Sequence, residues 1–475
     1  MERTRRRPSE TLSILDGNVL MMAVPMEVKL YDEYVNYMTR HLMLQMTTAR
    51  IVIVCFDDPK YVPDAKRATQ QKRDAVIHKK KVVCSEDLAP IPTTDNFEHM
   101  DLLAVADCHP VMRNRSTRQR FVDDVMMHTF HRIYSLIERC EVEGTLIIEG
   151  VDRRGSTRPY GAPRETAQFS TQPHMAALLK RRTPIGEGDL VMRDIDRAVR
   201  EAISRHSFGK IRCIQHHTVD TDSFPICLMH AIQRTNFKNH TEMCYVSDDE
   251  SDGEMPIETV ICIREPSRKR RSDVGHDEVI AASILWAYVD PLCRLLVQSV
   301  IPMQLWHRVD PSMIMRLIAC SWALSGCDFV SVKSATAEVF LDAIRDRVCQ
   351  VNGLSMFARL GEVSSTPNME ALHAIRTLCE SASERAVRNG RRNNAFIHNV
   401  NDNLILRAMW TVRYWNGHSA GGVSIEEWGF PSLPEEEGVG VEDEVSEPKK
   451  RARPEEEAGA GESSTGRTRV CTDMG

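Results

Sequence analysis

Residues 50–59 read Arg-Ile-Val-Ile-Val-Cys-Phe-Asp-Asp-Pro. From Ile51 to Phe56 every side chain is apolar, β-branched residues lead, and two aspartates and a proline end the run. A strand wetted on one face alternates apolar and polar positions. An unbroken apolar run of this length suits a strand covered on both faces, as in a parallel sheet. Asp57 then stands at the carboxyl end of that strand.

Working outward, the pattern recurs. Residues 11–15 form a short apolar run ending in Asp16-Gly17-Asn18, residues 145–149 form another, and residues 210–217 run into Val219-Asp220-Thr221-Asp222. Helical periodicity lies between them. It runs through Val28, Tyr31, Val35, Met38 and Leu42 over 26–46, with Pro25 suited to a first turn. It returns over 116–140, and again after Gly186-Glu187-Gly188-Asp189, through Leu190, Ile195 and Val199. Strands alternating with helices require crossover connections. The expected fold class is therefore α/β, with a central, mainly parallel, twisted sheet flanked by helices.

The remaining segments set the expected boundaries. A basic extension covers 1–10 and the α/β domain 11–335, with insertions near 82–115, 150–184 and 234–275. Residues 64–81 read as a basic helix and 150–184 as irregular. The insertion at 234–275 reads as exposed and carries the acidic run from Ser247 to Glu254 and a short strand at Val260-Ile261-Cys262-Ile263. Residues 277–300 and 311–325 read as apolar helices, the second running into Leu324-Ser325-Gly326-Cys327-Asp328. A helical region follows over 336–430. The Glu/Gly/Pro/Ser-rich tail 431–475 is expected to be disordered.

Composition excludes several classes. The 475 residues are 42% hydrophobic and 27% charged, which is a globular balance. No apolar run reaches the length of a membrane-spanning helix, and the basic N-terminus lacks the apolar core of a secretory signal. Fourteen cysteines lack any C-x-x-C pairing, which argues against a zinc ribbon or a disulfide framework and for a reducing compartment. The net charge of −6 hides an uneven distribution. Lys60, Lys66, Arg67, Lys72 and Arg73 belong to one basic stretch, whereas the tail is acidic.

The acids carry the chemistry. Asp16, Asp57, the pair Glu187/Asp189 and the pair Asp220/Asp222 fall at strand ends or helix starts. A single aspartate after a strand is ordinarily a turn former or helix cap. In a parallel sheet, however, all carboxyl ends share one edge, so these six would converge, and Asp328 can join them. Carboxylates this close repel unless cations neutralise them, and hard oxygen ligands select Mg²⁺ or Mn²⁺. Two such ions fit in-line displacement at a phosphodiester.

Five segments together resemble, in order, the acidic motifs of the flap-endonuclease/XPG (PIN-like) nuclease superfamily. They are Ile14-Leu15-Asp16-Gly17, Val54-Cys55-Phe56-Asp57-Asp58-Pro59, Gly186-Glu187-Gly188-Asp189, Val219-Asp220-Thr221-Asp222 and Leu324-Ser325-Gly326-Cys327-Asp328. The Gly-Glu-Gly-acid motif also resembles the 5′-to-3′ exoribonuclease branch. The resemblance spans about residues 11–335. It implies that Asp16, Asp57, Glu187 and Asp189 hold one Mg²⁺ (or Mn²⁺) and Asp220, Asp222 and Asp328 a second. It implies that Lys66 and Arg67 act catalytically on the scissile phosphate, with Lys60, Lys72 and Arg73 binding nucleic acid beside them. The family's Gly-rich duplex-gripping motif is missing from 329–335, so cleavage is better supported than flap specificity. The segments Ala323 to Asp328, Arg407 to Trp410 and Glu426 to Gly429 resemble nuclease-like proteins of animal mobile elements and DNA viruses.

The expectation is a two-metal nuclease acting on nucleic acid, with DNA favoured over RNA. The alternatives are a catalytically silent nucleic-acid-binding scaffold of the same fold and an RNA-degrading shutoff nuclease. Lys449, Lys450, Arg451 and Arg453 resemble a nuclear import signal, which implies an import receptor as partner and a nuclear location.

Overall fold

A computed structural model describes residues 7–22, 24, 28, 30–57, 62–63, 65–66, 115–154, 165–178, 186–204, 211–218, 220, 222–234, 257–264, 284–301, 311–330, 336–348, 369–388, 400–417 and 426–430. Arg67, Lys60, Lys72, Arg73, Lys449, Lys450, Arg451 and Arg453 lie outside the described residues, as does the tail beyond 430.

Among the described residues, seven strands form one sheet: β1 (Thr11–Asp16), β2 (Ile51–Cys55), β3 (Thr145–Asp152), β4 (Thr166–Ser170), β5 (Cys213–Thr218), β6 (Glu258–Arg264) and β7 (Ile284–Tyr288). Their order across the sheet is β4-β3-β2-β1-β5-β6-β7. The five inner strands pair in parallel, and β4 and β7 close the edges antiparallel. The chain therefore builds outward from β1 in one direction and then returns to its other side with β5. That reversal is where α/β sheets open a crevice at the carboxyl ends of their strands.

Both faces of the inner sheet are covered. Val52 and Val54 of β2 face α2 (Tyr31–Thr48) and α3 (Arg115–Glu138), among Tyr34, Met38, Phe121 and Val125. Ile51 and Ile53 face the other way, towards Val191, Ile195 and Val199 of α5 (Gly188–Ser204). The uninterrupted apolar reading of 51–56 is thus a strand with two dry faces. A third core joins α6 (Ser223–Arg234), α7 (Val289–Val300), α8 (Pro311–Leu324), α9 (Ala337–Val348), α10 (Met369–Arg388) and α11 (Asp402–Trp415). The helices after residue 336 share that core and have no separate one among the described residues. Among the described residues, no helix is long and apolar enough to cross a membrane.

Several expectations are corrected. The helix read over 26–46 starts at Tyr31, because the Glu33 carboxylate accepts the Leu30 amide at 3.2 Å and fixes the start there. A short helix, α1 (Gly17–Met22), precedes it. The segment 150–184 contains β4 and α4 (Pro173–Leu178), which flanking Gly, Pro and Arg had obscured. The run 277–300 opens as strand β7, since Ile284-Leu-Trp-Ala-Tyr pairs with β6, and turns helical only at Val289. Within 234–275, β6 is an inner strand with Val260, Ile261 and Cys262 buried. Helix α6 was not anticipated.

Two features fix the sheet near its working edge. At β3, the register shifts between Glu149 and Val151 while Gly150 adopts φ +87°. A Cβ there would stand 2.7 Å from the Phe56 carbonyl oxygen. Gly150→Ala is expected to cost about 2 kcal/mol, read as a lower urea midpoint. Beneath β5, buried Asp196 accepts from Arg200 Nε at 2.6 Å and meets His216 Nε2 at 3.1 Å. Arg200 also binds the Ile257 carbonyl at 2.9 Å, tying α5 to the start of β6. Burial raises Asp196, but Arg200 and His216 outweigh it and hold the carboxyl well below its ordinary range. Asp196→Ala removes the carboxylate that buried His216 and half-buried Arg200 share and is expected to cost about 3 kcal/mol in the same denaturation assay.

Candidate metal centre

Each expected acid is placed by its own local structure. Asp16 ends β1, and its Oδ1 accepts the amides of Asn18 at 2.9 Å and Val19 at 3.3 Å, capping α1. Asp57 follows β2, and its Oδ1 accepts the Gly188 amide at 2.6 Å. A Cβ on Gly188 would sit 3.1 Å from that oxygen and 3.8 Å from Asp16 Oδ1. Glycine at 188 therefore lets the amino end of α5 close on both carboxylates, where its dipole favours negative charge. Glu187 and Asp189 flank that glycine, and Asp189 accepts the Ser223 hydroxyl.

After β5, Thr218 Oγ1 accepts the Asp220 amide at 2.9 Å, and Asp220 Oδ1 accepts the Asp222 amide at 3.0 Å. These hydrogen bonds draw Thr218, Asp220 and Asp222 together after β5. Asp222 accepts the backbone amide of Asp328. Asp328 sits in the loop after α8, which turns at Gly326 (φ +108°) and is closed by the Cys327 amide on the Val330 carbonyl at 3.1 Å. Buried Lys66 reaches in, its Nζ 3.4 Å from Glu187 Oε1 and 3.6 Å from Asp328 Oδ2. All seven expected acids, drawn from separate stretches of chain, are brought together, and Lys66 stands among them.

The acids feel one another. Burial first, then Asp57 and Asp220, push the Asp16 carboxyl up to about 7. Burial also lifts Glu187 to about 7 against the opposing pull of Lys66. Asp189 and Asp222 are driven well above the ordinary carboxylate range, by burial and then by Asp220. Burial alone would depress the Lys66 ammonium, but Glu187, Asp57, Asp328 and Asp189 outweigh it and hold it well above its ordinary value. Among the described residues, the Lys66 ammonium alone does not offset these carboxylates once they are ionised.

The donor set fits divalent cations. All donors are hard carboxylate oxygens, and Glu187 Oε1 is buried without a well-formed hydrogen bond. Among the described residues, no three acidic, histidine or cysteine side chains stand close enough, as placed, to share one ion. The cluster fits in charge and chemistry but is not a closed shell. His216, the strand histidine before Asp220, is turned away from it, onto Asp196.

Residues outside the expected acidic set complete the surroundings. Arg193, one turn after Asp189, donates to the Trp415 carbonyl at 2.6 Å and so ties α5 to the end of α11. Tyr414 packs on Phe329, next to Asp328, with ring centroids 5.7 Å apart, and stacks on Trp410 at 5.1 Å. Burial, then the fields of Glu187 and Asp57, push its phenol up. The helical spacing of Trp410 and Tyr414 marks them as core; only their partners reveal that this core backs the acids. The chain matches no family model and no curated protein.

Proposed function

We propose that this chain is a metal-dependent nuclease of PIN-like, flap-endonuclease type that hydrolyses phosphodiester bonds. One observation carries the reading: seven carboxylates from distant parts of the sequence meet at the carboxyl edge of a parallel sheet, with the proton affinities of Asp16, Glu187, Asp189 and Asp222 raised and the Lys66 ammonium among them. An acidic core of this kind stabilises nothing by itself, and such local conflicts mark functional sites.

Asp16, Asp57, Glu187 and Asp189 would hold one divalent cation, and Asp220, Asp222 and Asp328 a second. Bound there, Mg²⁺ or Mn²⁺ would supply an activated water and neutralise charge on the leaving oxygen. The chain's own residues do the orienting. The Gly188 amide and the Asn18 and Val19 amides fix the Asp57 and Asp16 carboxylates. The Ser223 hydroxyl fixes Asp189, and the Asp222 amide fixes Asp220. Lys66 and Arg67 would meet the scissile phosphate.

The test is a panel of flapped, duplex and single-stranded DNA and matching RNA, incubated with purified protein and Mg²⁺. Metal-dependent cleavage of at least one substrate is expected, with DNA preferred. No cleavage of any substrate by folded protein removes the reading. The basic cluster at Lys449, Lys450, Arg451 and Arg453 would engage a nuclear import receptor. Replacing all four with alanine in a fluorescent fusion is expected to lower the nuclear signal.

A further inference from the structure

The Lys66 ammonium lies inside the carboxylate cluster, not at its rim. Its side chain is about one-tenth exposed, and its Nζ stands 3.4 Å from Glu187 Oε1 and 3.6 Å from Asp328 Oδ2. Those two acids come from separate stretches of the chain: Glu187 precedes α5 and Asp328 follows α8. Glu187 Oε1 is buried and makes no well-formed hydrogen bond, so the ammonium is its principal compensation. A Mg²⁺ ion on either of these oxygens would need it at about 2.1 Å, closer than the ammonium now stands and against the volume that it fills. Two cations in one gap also repel, and the dry surroundings strengthen that repulsion.

We infer that Lys66 is an internal counter-ion that holds the gap between Glu187 and Asp328 and is expelled when a divalent cation binds. This inference rests on the proposed metal site and adds its regulation. The lysine keeps the metal-free cluster from flying apart, and it sets a threshold below which the site stays unloaded. Expulsion also frees the ammonium at the moment when the charge it neutralised has been replaced. The lysine is then available to an anionic phosphate only after metal has bound. Loading thus arms the site in a fixed order, cation first and anion second.

The role differs from that of a simple phosphate contact, which leaves metal affinity in the absence of substrate untouched. Calorimetric titration of Mn²⁺ into substrate-free full-length protein separates the two. Lys66→Met, which keeps the length and apolar stem, is expected to bind the first ion about tenfold tighter or more, because no cation must leave. Lys66→Arg keeps the charge and is expected to stay within about twofold of wild type. A second readout needs no variant. Mass-spectrometric measurement of Lys66 acylation by a water-soluble amine reagent is expected to rise several-fold when Mn²⁺ is added.

If wild type binds Mn²⁺ and Lys66→Met binds it equally or more weakly, the counter-ion role is overturned and the metal site stands. If acylation is unchanged or falls with Mn²⁺, the expulsion is overturned. If neither wild type nor Lys66→Met binds Mn²⁺, both this inference and the proposed nuclease fall. Binding by Lys66→Met alone supports the latch in its strongest form.

Discussion

Asp16→Asn is expected to remove nuclease turnover almost entirely while making the metal-free protein more resistant to heat. The two effects have one cause. Asp16 is buried at the end of β1, and its carboxyl is pushed up to about 7 by burial, then by Asp57 and Asp220. Its charge therefore opposes folding at neutral pH. The asparagine oxygen can still accept the Asn18 and Val19 amides that Asp16 Oδ1 accepts at 2.9 and 3.3 Å, so the cap on α1 survives. A proposed metal ligand is lost, however, and several kcal/mol of transition-state stabilisation correspond to a fall on the order of 10³-fold in turnover. Differential scanning calorimetry in a chelator and a cleavage assay in Mg²⁺ check the pair. Full activity contradicts the site. A lowered melting temperature shows that the carboxylate serves the fold rather than the chemistry.

The second large effect is in pH. Asp16 and Glu187 titrate near 7 in the folded chain, against ordinary values of 3.8 and 4.5. A folded-state value above the unfolded one means that the native protein holds protons which the unfolded chain has released. The associated stability is complete below about pH 4 and is lost as pH rises through about 7. Asp189 and Asp222 shift in the same direction and add to it. In chelator, the melting temperature is expected to fall between pH 5 and pH 8. Saturating Mg²⁺ should restore far more at pH 8 than at pH 5, because a cation stabilises only the ionised cluster. The double variant Asp16→Asn/Glu187→Gln should flatten both trends. A metal-free protein that gains stability steadily to pH 8 contradicts the electrostatics described above.

Much of this was legible in the chain, for identifiable reasons. Strands β1, β2 and β3 are buried along their whole length, so their sequences are apolar-rich runs, unbroken in β2, of a kind that no half-exposed helix would produce. The acids end those runs, and the shared carboxyl edge follows from parallel pairing alone. The edge strands were harder. β4 is short and set among Gly, Pro and Arg, and β7 leads straight into α7 with no polar break, so its apolar residues read as the start of that helix. Strand and buried helix are indistinguishable in such runs until a pairing partner is known. Lys66 was legible as a basic residue on a basic stretch. Its position inside the acids was not, because which flexible side chain fills a gap depends on contacts from Glu187 and Asp328, far along the sequence. The tie between Arg193 and the end of α11 is of the same kind: a long-range hydrogen bond to a backbone carbonyl leaves no local pattern.

The most direct test of the two-cation site is anomalous X-ray diffraction from crystals grown with Mn²⁺. Two peaks are expected within ligand distance of the acids, one against Asp16, Asp57, Glu187 and Asp189, the other against Asp220, Asp222 and Asp328, with Lys66 Nζ moved out of the gap. A well-ordered chain that shows these seven side chains with no manganese among them, or shows them on separate surfaces, contradicts it.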